Sequence, residues 1–184
     1  MTNLPSEDVI QRNLSYNLQL GVIKDIPLNR MRNFGLGIGL GYATNSYYSN
    51  IIAEETTTDI TYRFPETDEA LNRSKFETHG IVFPFEIRWR TSNPIDYKFW
   101  RIYTGFRAEY LFSRVSNLVT DKRTSFQNDT ILQWQYGLTL NFGYNTWNIH
   151  LYYNLNSLLD GAQLLEGEPL EIRPLSVGVV FYIL

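Results

Sequence analysis

The chain has 184 residues, 43% of them hydrophobic and 15% aromatic, with 16 Lys and Arg against 19 Asp and Glu and no cysteine. That length suits a single domain, taken here as residues 1–184. The charge balance lacks the basic surplus of a nucleic-acid binder, the absent thiols exclude disulfides, zinc–thiolate sites and cysteine nucleophiles, and no apolar run reaches the roughly 18 residues of a membrane-crossing helix.

The opening residues, Met1 to Asp8, carry neither the basic nor the apolar region of a secretory signal. Residues 1–12 read as a loop remnant. Seven stretches then alternate bulky apolar residues with polar or small ones, the period of a strand. They span roughly 14–23, 34–48, 80–90, 99–113, 131–144, 147–156 and 171–184. In the first, Leu14, Tyr16, Leu18, Leu20 and Val22 oppose Ser15, Asn17, Gln19 and Gly21. The second sets Phe34, Leu36, Ile38, Leu40 and Tyr42 against Gly35, Gly37, Gly39 and Gly41. The clearest, 132–144, places Leu132, Trp134, Tyr136, Leu138, Leu140, Phe142 and Tyr144 opposite Gln133, Gln135, Gly137, Thr139, Asn141 and Gly143. Ten of the 12 glycines lie in these stretches, all on the polar face, and all four tryptophans lie on the other. The charges Glu86, Arg88, Arg90, Arg101, Arg107 and Glu109 share the glycine-bearing face.

The links alternate in length. Lys24–Asn33, Thr91–Lys98 and Asn145-Thr146 are short; 49–75, 114–130 and 157–170 are longer and polar. Short turns on one rim and long loops on the other describe an antiparallel up-and-down meander, and in a bilayer they are periplasmic turns and external loops. Turned apolar-side in, as in a soluble lipocalin-like barrel carrying an apolar ligand, the sheet would overfill its interior and leave a row of glycines in water. Turned apolar-side out, bulky residues meet lipid, glycines give room in a narrow lumen, and Arg and Glu pair inside. A closed sheet also satisfies every backbone group in hydrocarbon, and strands of about 9–11 residues suffice to cross. The expected fold is therefore an all-β, antiparallel up-and-down transmembrane barrel of the bacterial outer membrane, with lipid as its surroundings. Trp89, Trp100, Tyr144 and Trp147 flank the short turns, where an interfacial aromatic girdle belongs. Bacterial barrels of this kind have even strand numbers. Seven strands then predict an eight-stranded type whose first strand lies ahead of Met1; the competing place for an eighth is Ile60–Phe64.

Ile81-Val82-Phe83-Pro84-Phe85-Glu86-Ile87-Arg88-Trp89-Arg90 resembles a proline-bearing strand of the Bacteroidota outer-membrane β-barrel family, called porin family or PorT-like. Tyr103-Thr104-Gly105-Phe106-Arg107-Ala108-Glu109-Tyr110 is similar to the strand that follows, and Ile172 to Leu184 to the family's closing strand. The resemblance implies a small non-enzymatic barrel with no cofactor. Its PorT branch implies a structural or accessory role in type IX secretion and gliding, with other secretion-system proteins as partners.

Of the candidate sites, the six-charge cluster reads either as a proton or ion path or a site for a partner's tail, or as a structural network that plugs the lumen and fixes register; the structural reading is preferred. His150 and His79 stand without a serine or acidic companion at catalytic or metal-ligating spacing, so no catalytic or metal residue is assigned. The last strand alternates through Val180, Tyr182 and Leu184, as an assembly signal or simply as a closing strand. Glu54–Asn72, Thr-rich and acidic (Thr56, Thr57, Thr58, Asp59, Glu66, Asp68, Glu69), reads as an external loop that either contacts a partner outside the cell or is simply solvated; the second reading is preferred.

Overall fold

The computed structural model describes residues 15–56, 59–65, 73–91, 99–119, 123–145, 147–165 and 167–182. The expected remnant 1–12, Thr57 and Thr58, and Glu66, Asp68 and Glu69 lie outside the described residues. The strands are β1 (Tyr16–Pro27), β2 (Phe34–Ser49), β3 (Ile52–Glu55), β4 (Ile60–Arg63), β5 (Arg73–Arg90), β6 (Trp100–Val119), β7 (Arg123–Gln127), β8 (Trp134–Tyr144), β9 (Trp147–Asn154) and β10 (Leu175–Val180). Seven of them pair in the order β1-β2-β5-β6-β8-β9-β10, every neighbour antiparallel, and each corresponds to one expected stretch.

Alternation decides the sense of the sheet. Along β8, exposed and buried residues alternate without a break. Trp134 and Leu138 are 51% and 52% exposed on the convex face, while Arg107 is 2% exposed on the concave one. The apolar-inside, lipocalin-like alternative is overturned by this sense.

Several boundaries differ from the expected ones. β5 starts at Arg73 and β6 runs to Val119, so the hairpin continues well past the apolar band. A register shift at His79/Gly80 pairs these residues with Ser113 and Leu111, leaving Phe112 as the extra residue of a bulge. A bulge flips the alternation, which is why a strict period-2 reading stops there. The 114–130 segment is the end of β6 and its partner β7 rather than a loop. The candidate at 60–64 is a strand, β4, but among the described strands it pairs with β3 alone, in a separate hairpin outside the barrel wall. At the short-turn rim, Asn145 takes a positive φ of 55° in the tight β8–β9 turn, a conformation asparagine tolerates.

The outer edges of β1 and β10 have no strand partner among the described residues, so the curled sheet stays open between them. The apolar core sits above the membrane-sized band rather than inside it. Tyr47, Ile51, Ala53, Tyr62, Phe76, Leu111, Ile131, Leu158, Leu159, Ala162, Leu164, Leu170 and Ile172 form one buried cluster at the long-loop rim.

Candidate functional site

Two inward-facing i,i+2 pairs start the lumen network. On β5, Arg88 lies 2.9 Å from Glu86; on β6, Arg107 Nη2 lies 2.6 Å from Glu109. Residues two apart on a strand share a face, so each pair is a local consequence of sequence. All four are at most 4% exposed. A buried ion pair is helped by further hydrogen bonds to its remaining polar atoms; here neighbours serve both carboxylates, while Arg107 Nε has no hydrogen-bond partner. Glu86 Oε1 accepts from Asn141 Nδ2 at 3.2 Å and from the Tyr182 hydroxyl at 3.4 Å. Glu109 Oε1 accepts from Asn45 Nδ2 at 3.0 Å, and that amide also reaches Thr78 Oγ1 at 3.0 Å. Asp25 of β1 takes Arg88 at 3.2 Å and also pairs with Arg90. Arg90 Nε donates to the Arg32 carbonyl at 2.7 Å, tying the network to the first short turn.

Aromatic faces complete the packing. The Arg88 guanidinium lies 4.8 Å from the Tyr103 ring centre and 5.4 Å from that of Tyr182; Arg107 lies 4.4 Å from Tyr152. Arg101, 5% exposed, differs from its neighbours. It meets Phe99 at 4.7 Å and Tyr182 at 5.8 Å, and no carboxylate pairs with it among the described residues. The glycines make this possible. A Cβ on Gly37 would stand 2.5 Å from Arg88 Nε, and one on Gly105 would stand 2.8 Å from the Glu86 Cα.

The structure thus brings five of the six expected charges into the buried lumen, with Arg90 at its short-turn edge. Asp25, Asn45, Asn141, Gln135 and Tyr182 belong to the same interior, and reading the sequence for charge alone missed them. Asp25 continues the inward row Asn17, Gln19, Gly21 and Ile23, so extending the alternation by two residues finds it. Trp89, Trp100, Tyr144 and Trp147 are exposed at the short-turn rim. Trp100 packs on Phe142 and Tyr144 at ring distances of 5.2 and 5.0 Å.

Neither histidine has a serine hydroxyl as hydrogen-bond partner among the described residues, and His79 Nε2 lies 3.8 Å from Glu77. The His150 ring is hydrogen-bonded to Asn141 in the wall, and His79 Nδ1 meets the Tyr42 hydroxyl at 2.6 Å on the outer face. Among the described residues no group of three His, Asp or Glu side chains could hold a metal ion.

The 157–170 link and the β3–β4 hairpin are not simply solvated loops. They fold together over the long-loop mouth: Tyr62 bridges in parallel to Leu164, and Ile131 antiparallel to Leu159. Asn128, fully buried, donates through Nδ2 to the Tyr62 hydroxyl at 3.0 Å and to Ser116 Oγ at 2.8 Å. Burial beneath this cap raises the Tyr62 hydroxyl above the usual tyrosine range, against the pull of its Thr130 and Asn128 hydrogen bonds. Leu158, Leu159, Leu164 and Leu170 are the overlooked signal, since four buried large aliphatics in a supposedly polar link need a core to enter.

Comparison with known proteins gives one assignment. The family model described as outer membrane protein beta-barrel domain matches residues 1–160. No curated protein and no solved structure gives a significant match.

Proposed function

The chain belongs to the outer membrane protein β-barrel domain family and so sits in the bacterial outer membrane, and from that premise we propose that it is a non-enzymatic, non-conducting structural barrel. Its finer assignment is an accessory subunit of the PorT-like kind, serving type IX secretion and gliding beside other secretion-system proteins, with outer-membrane lipid around its apolar wall. We read 1–184 as one such domain, the six lumen charges as structural and the four rim aromatics as its girdle.

The observation that carries the structural reading is the filled lumen. Arg88, Glu86, Arg107, Glu109 and the rings of Tyr103, Tyr152 and Tyr182 occupy the interior, and the Tyr62–Leu164 cap lies over its long-loop end. Small barrels are filled by side chains, and only much larger ones leave an aqueous channel. Reconstitution into planar bilayers should give no stable channel; large, long-lived conductance steps would overturn the proposal. Membrane fractionation should leave the protein in the detergent-extracted outer membrane, with heat-modifiable migration on gels. Deleting the gene should abolish type IX secretion and gliding. Wild-type secretion in the deletion strain would remove the PorT-like role and leave the structural barrel standing.

A further inference from the structure

The charges of the lumen do not balance. Below the bulge at Phe112, the described wall turns four guanidinium groups inward, those of Arg88, Arg90, Arg101 and Arg107, against three carboxylates, those of Asp25, Glu86 and Glu109. Glu109 is taken by Arg107, Glu86 by Arg88, and Asp25 by Arg88 and Arg90. Arg101 is the cation left over. Its Nε is buried without a hydrogen-bond partner, and no carboxylate reaches it among the described residues. Burying an unpaired charge is costly. The rings of Phe99 and Tyr182, 4.7 and 5.8 Å from the guanidinium, offset only part of that cost.

The neighbours of Arg101 explain why it is alone. It is the second residue of β6, directly opposite Arg90 on β5 and Gly143 on β8. Like charges directly opposite in a sheet repel. Arg90 is held towards β1 by Asp25 and by the Arg32 carbonyl. On the other side Gly143 has no side chain to offer. The Arg101 guanidinium therefore stands unpaired just inside the short-turn rim, the periplasmic end of a barrel of this kind.

We propose that the short-turn mouth of the lumen is a binding site for a carboxylate, held by Arg101 beside the rings of Phe99 and Tyr182. The proposal rests on the reading of the chain as a barrel with a filled lumen, and it gives the periplasmic end of that lumen a ligand. The surplus is a single positive charge, which a monoanion balances. A phosphate monoester carries about −1.5 to −2 at neutral pH, and its excess would fall near Glu86 and Asp25. A planar guanidinium fork matches a carboxylate, and the two rings offer apolar surface to the carbon chain that bears it. That carboxylate belongs either to a small free acid or to a peptide, and the test separates the two.

The test uses the full-length protein, extracted from the outer membrane into detergent micelles and labelled with ¹⁵N-arginine. The Nε–H signal missing from Arg101→Met, and equally from Arg101→Lys, belongs to Arg101. Acetate should move that signal saturably. Chloride and methyl phosphate at the same pH and ionic strength should bind more weakly by about tenfold. A short peptide with a free C-terminus that binds about tenfold tighter than acetate, and loses binding as its C-terminal amide, assigns the site to peptides; equal affinities assign it to small free acids. At about nine times its Kd, acetate should raise the folded-to-unfolded ratio in urea about tenfold, and Arg101→Met should abolish that response. A heat-modifiable protein whose Arg101 signal does not move overturns the proposal. So does an equal response to chloride or methyl phosphate, or an acetate response that survives in Arg101→Met. Asp96→Asn, in the link between β5 and β6, should leave the affinity unchanged; a gain of about tenfold would give Arg101 a partner in its own chain and overturn the proposal too. Loss of heat-modifiable migration in the native protein, or its recovery outside the membrane fraction, would instead fail the barrel reading itself.

Discussion

The inward positions of β2 run Gly35, Gly37, Gly39, Gly41, Ala43 and Asn45 and then reach Tyr47; those of β5, read upward, run Arg88, Glu86, Pro84, Val82 and Gly80 and then reach Thr78 and Phe76. The outward positions change in the opposite sense. On β2 they pass from Phe34, Ile38 and Tyr42 to Thr44; on β5 from Trp89, Phe85 and Ile81 to His79, Glu77 and Lys75. Within the apolar band the solvent is hydrocarbon, and polar groups gain by facing one another across the lumen. Above it the solvent is water, and the ordinary apolar core returns under the cap. The same strands serve both regions, and the β6 bulge at Phe112 sits where the rule inverts.

Removing charge from the lower region should have the largest effect. Arg107→Met leaves Glu109 buried without its ion-pair partner, at a cost of about 3–5 kcal/mol. Unfolding by urea in lipid vesicles measures it, and Glu109→Gln added to the same chain should recover most of the loss. Unequal recovery would mean that the pair acts through something other than charge balance. On the outside of the same band, Leu138→Arg, near the middle of β8, should cost about 2–4 kcal/mol. Arg introduced instead at the exposed Ser125 of β7, above the inversion, should be close to neutral. Equal costs at the two positions would erase the proposed boundary between lipid and water.

The cap gives a smaller and differently shaped response. Tyr62→Phe removes the hydroxyl that Asn128 Nδ2 meets inside the cluster, leaving that buried amide with one partner fewer, at about 1–3 kcal/mol. Limited proteolysis of residues 56–65 should accelerate while heat-modifiable migration is unchanged, because the cap opens without the wall. Loss of both together would show that the two regions unfold as one unit.

What sequence alone could read follows from how local each feature is. β8 was legible residue by residue, because Trp134 to Tyr144 faces lipid and lumen in strict turn. The Glu86–Arg88 and Arg107–Glu109 pairs were legible because i,i+2 spacing puts both partners on one face. Asp25 was missed because Lys24-Asp25-Ile26-Pro27 looks like a turn, yet β1 continues through it to pair with Gly35 and Gly37. The cap was missed because β3 and β4 are four residues each and are held by contacts distant in sequence, such as Tyr62 with Leu164. Strands that short have too little pattern to announce themselves, and only the unexplained aliphatics of 158–172 hinted at a second core.

The smallest effect tests whether charge outside the lumen matters at all. Arg63 and Glu54 pair at 2.8 Å across the β3–β4 hairpin, with side chains 25% and 45% exposed. Water screens such a pair, and ordering two long side chains offsets much of the attraction, so Glu54→Gln should cost about 0.2–1 kcal/mol. The chemistry matches that of Arg107–Glu109, a guanidinium against a carboxylate, so the two substitutions isolate environment as the variable. Raising salt should shrink the Glu54 effect further, because exposed charges are screened, and should leave the Arg107 effect nearly unchanged. A salt-insensitive loss above about 2 kcal/mol at Glu54 would mean that the hairpin is drier than its exposure indicates. The cap would then be an extension of the lumen network rather than a separate, water-facing core.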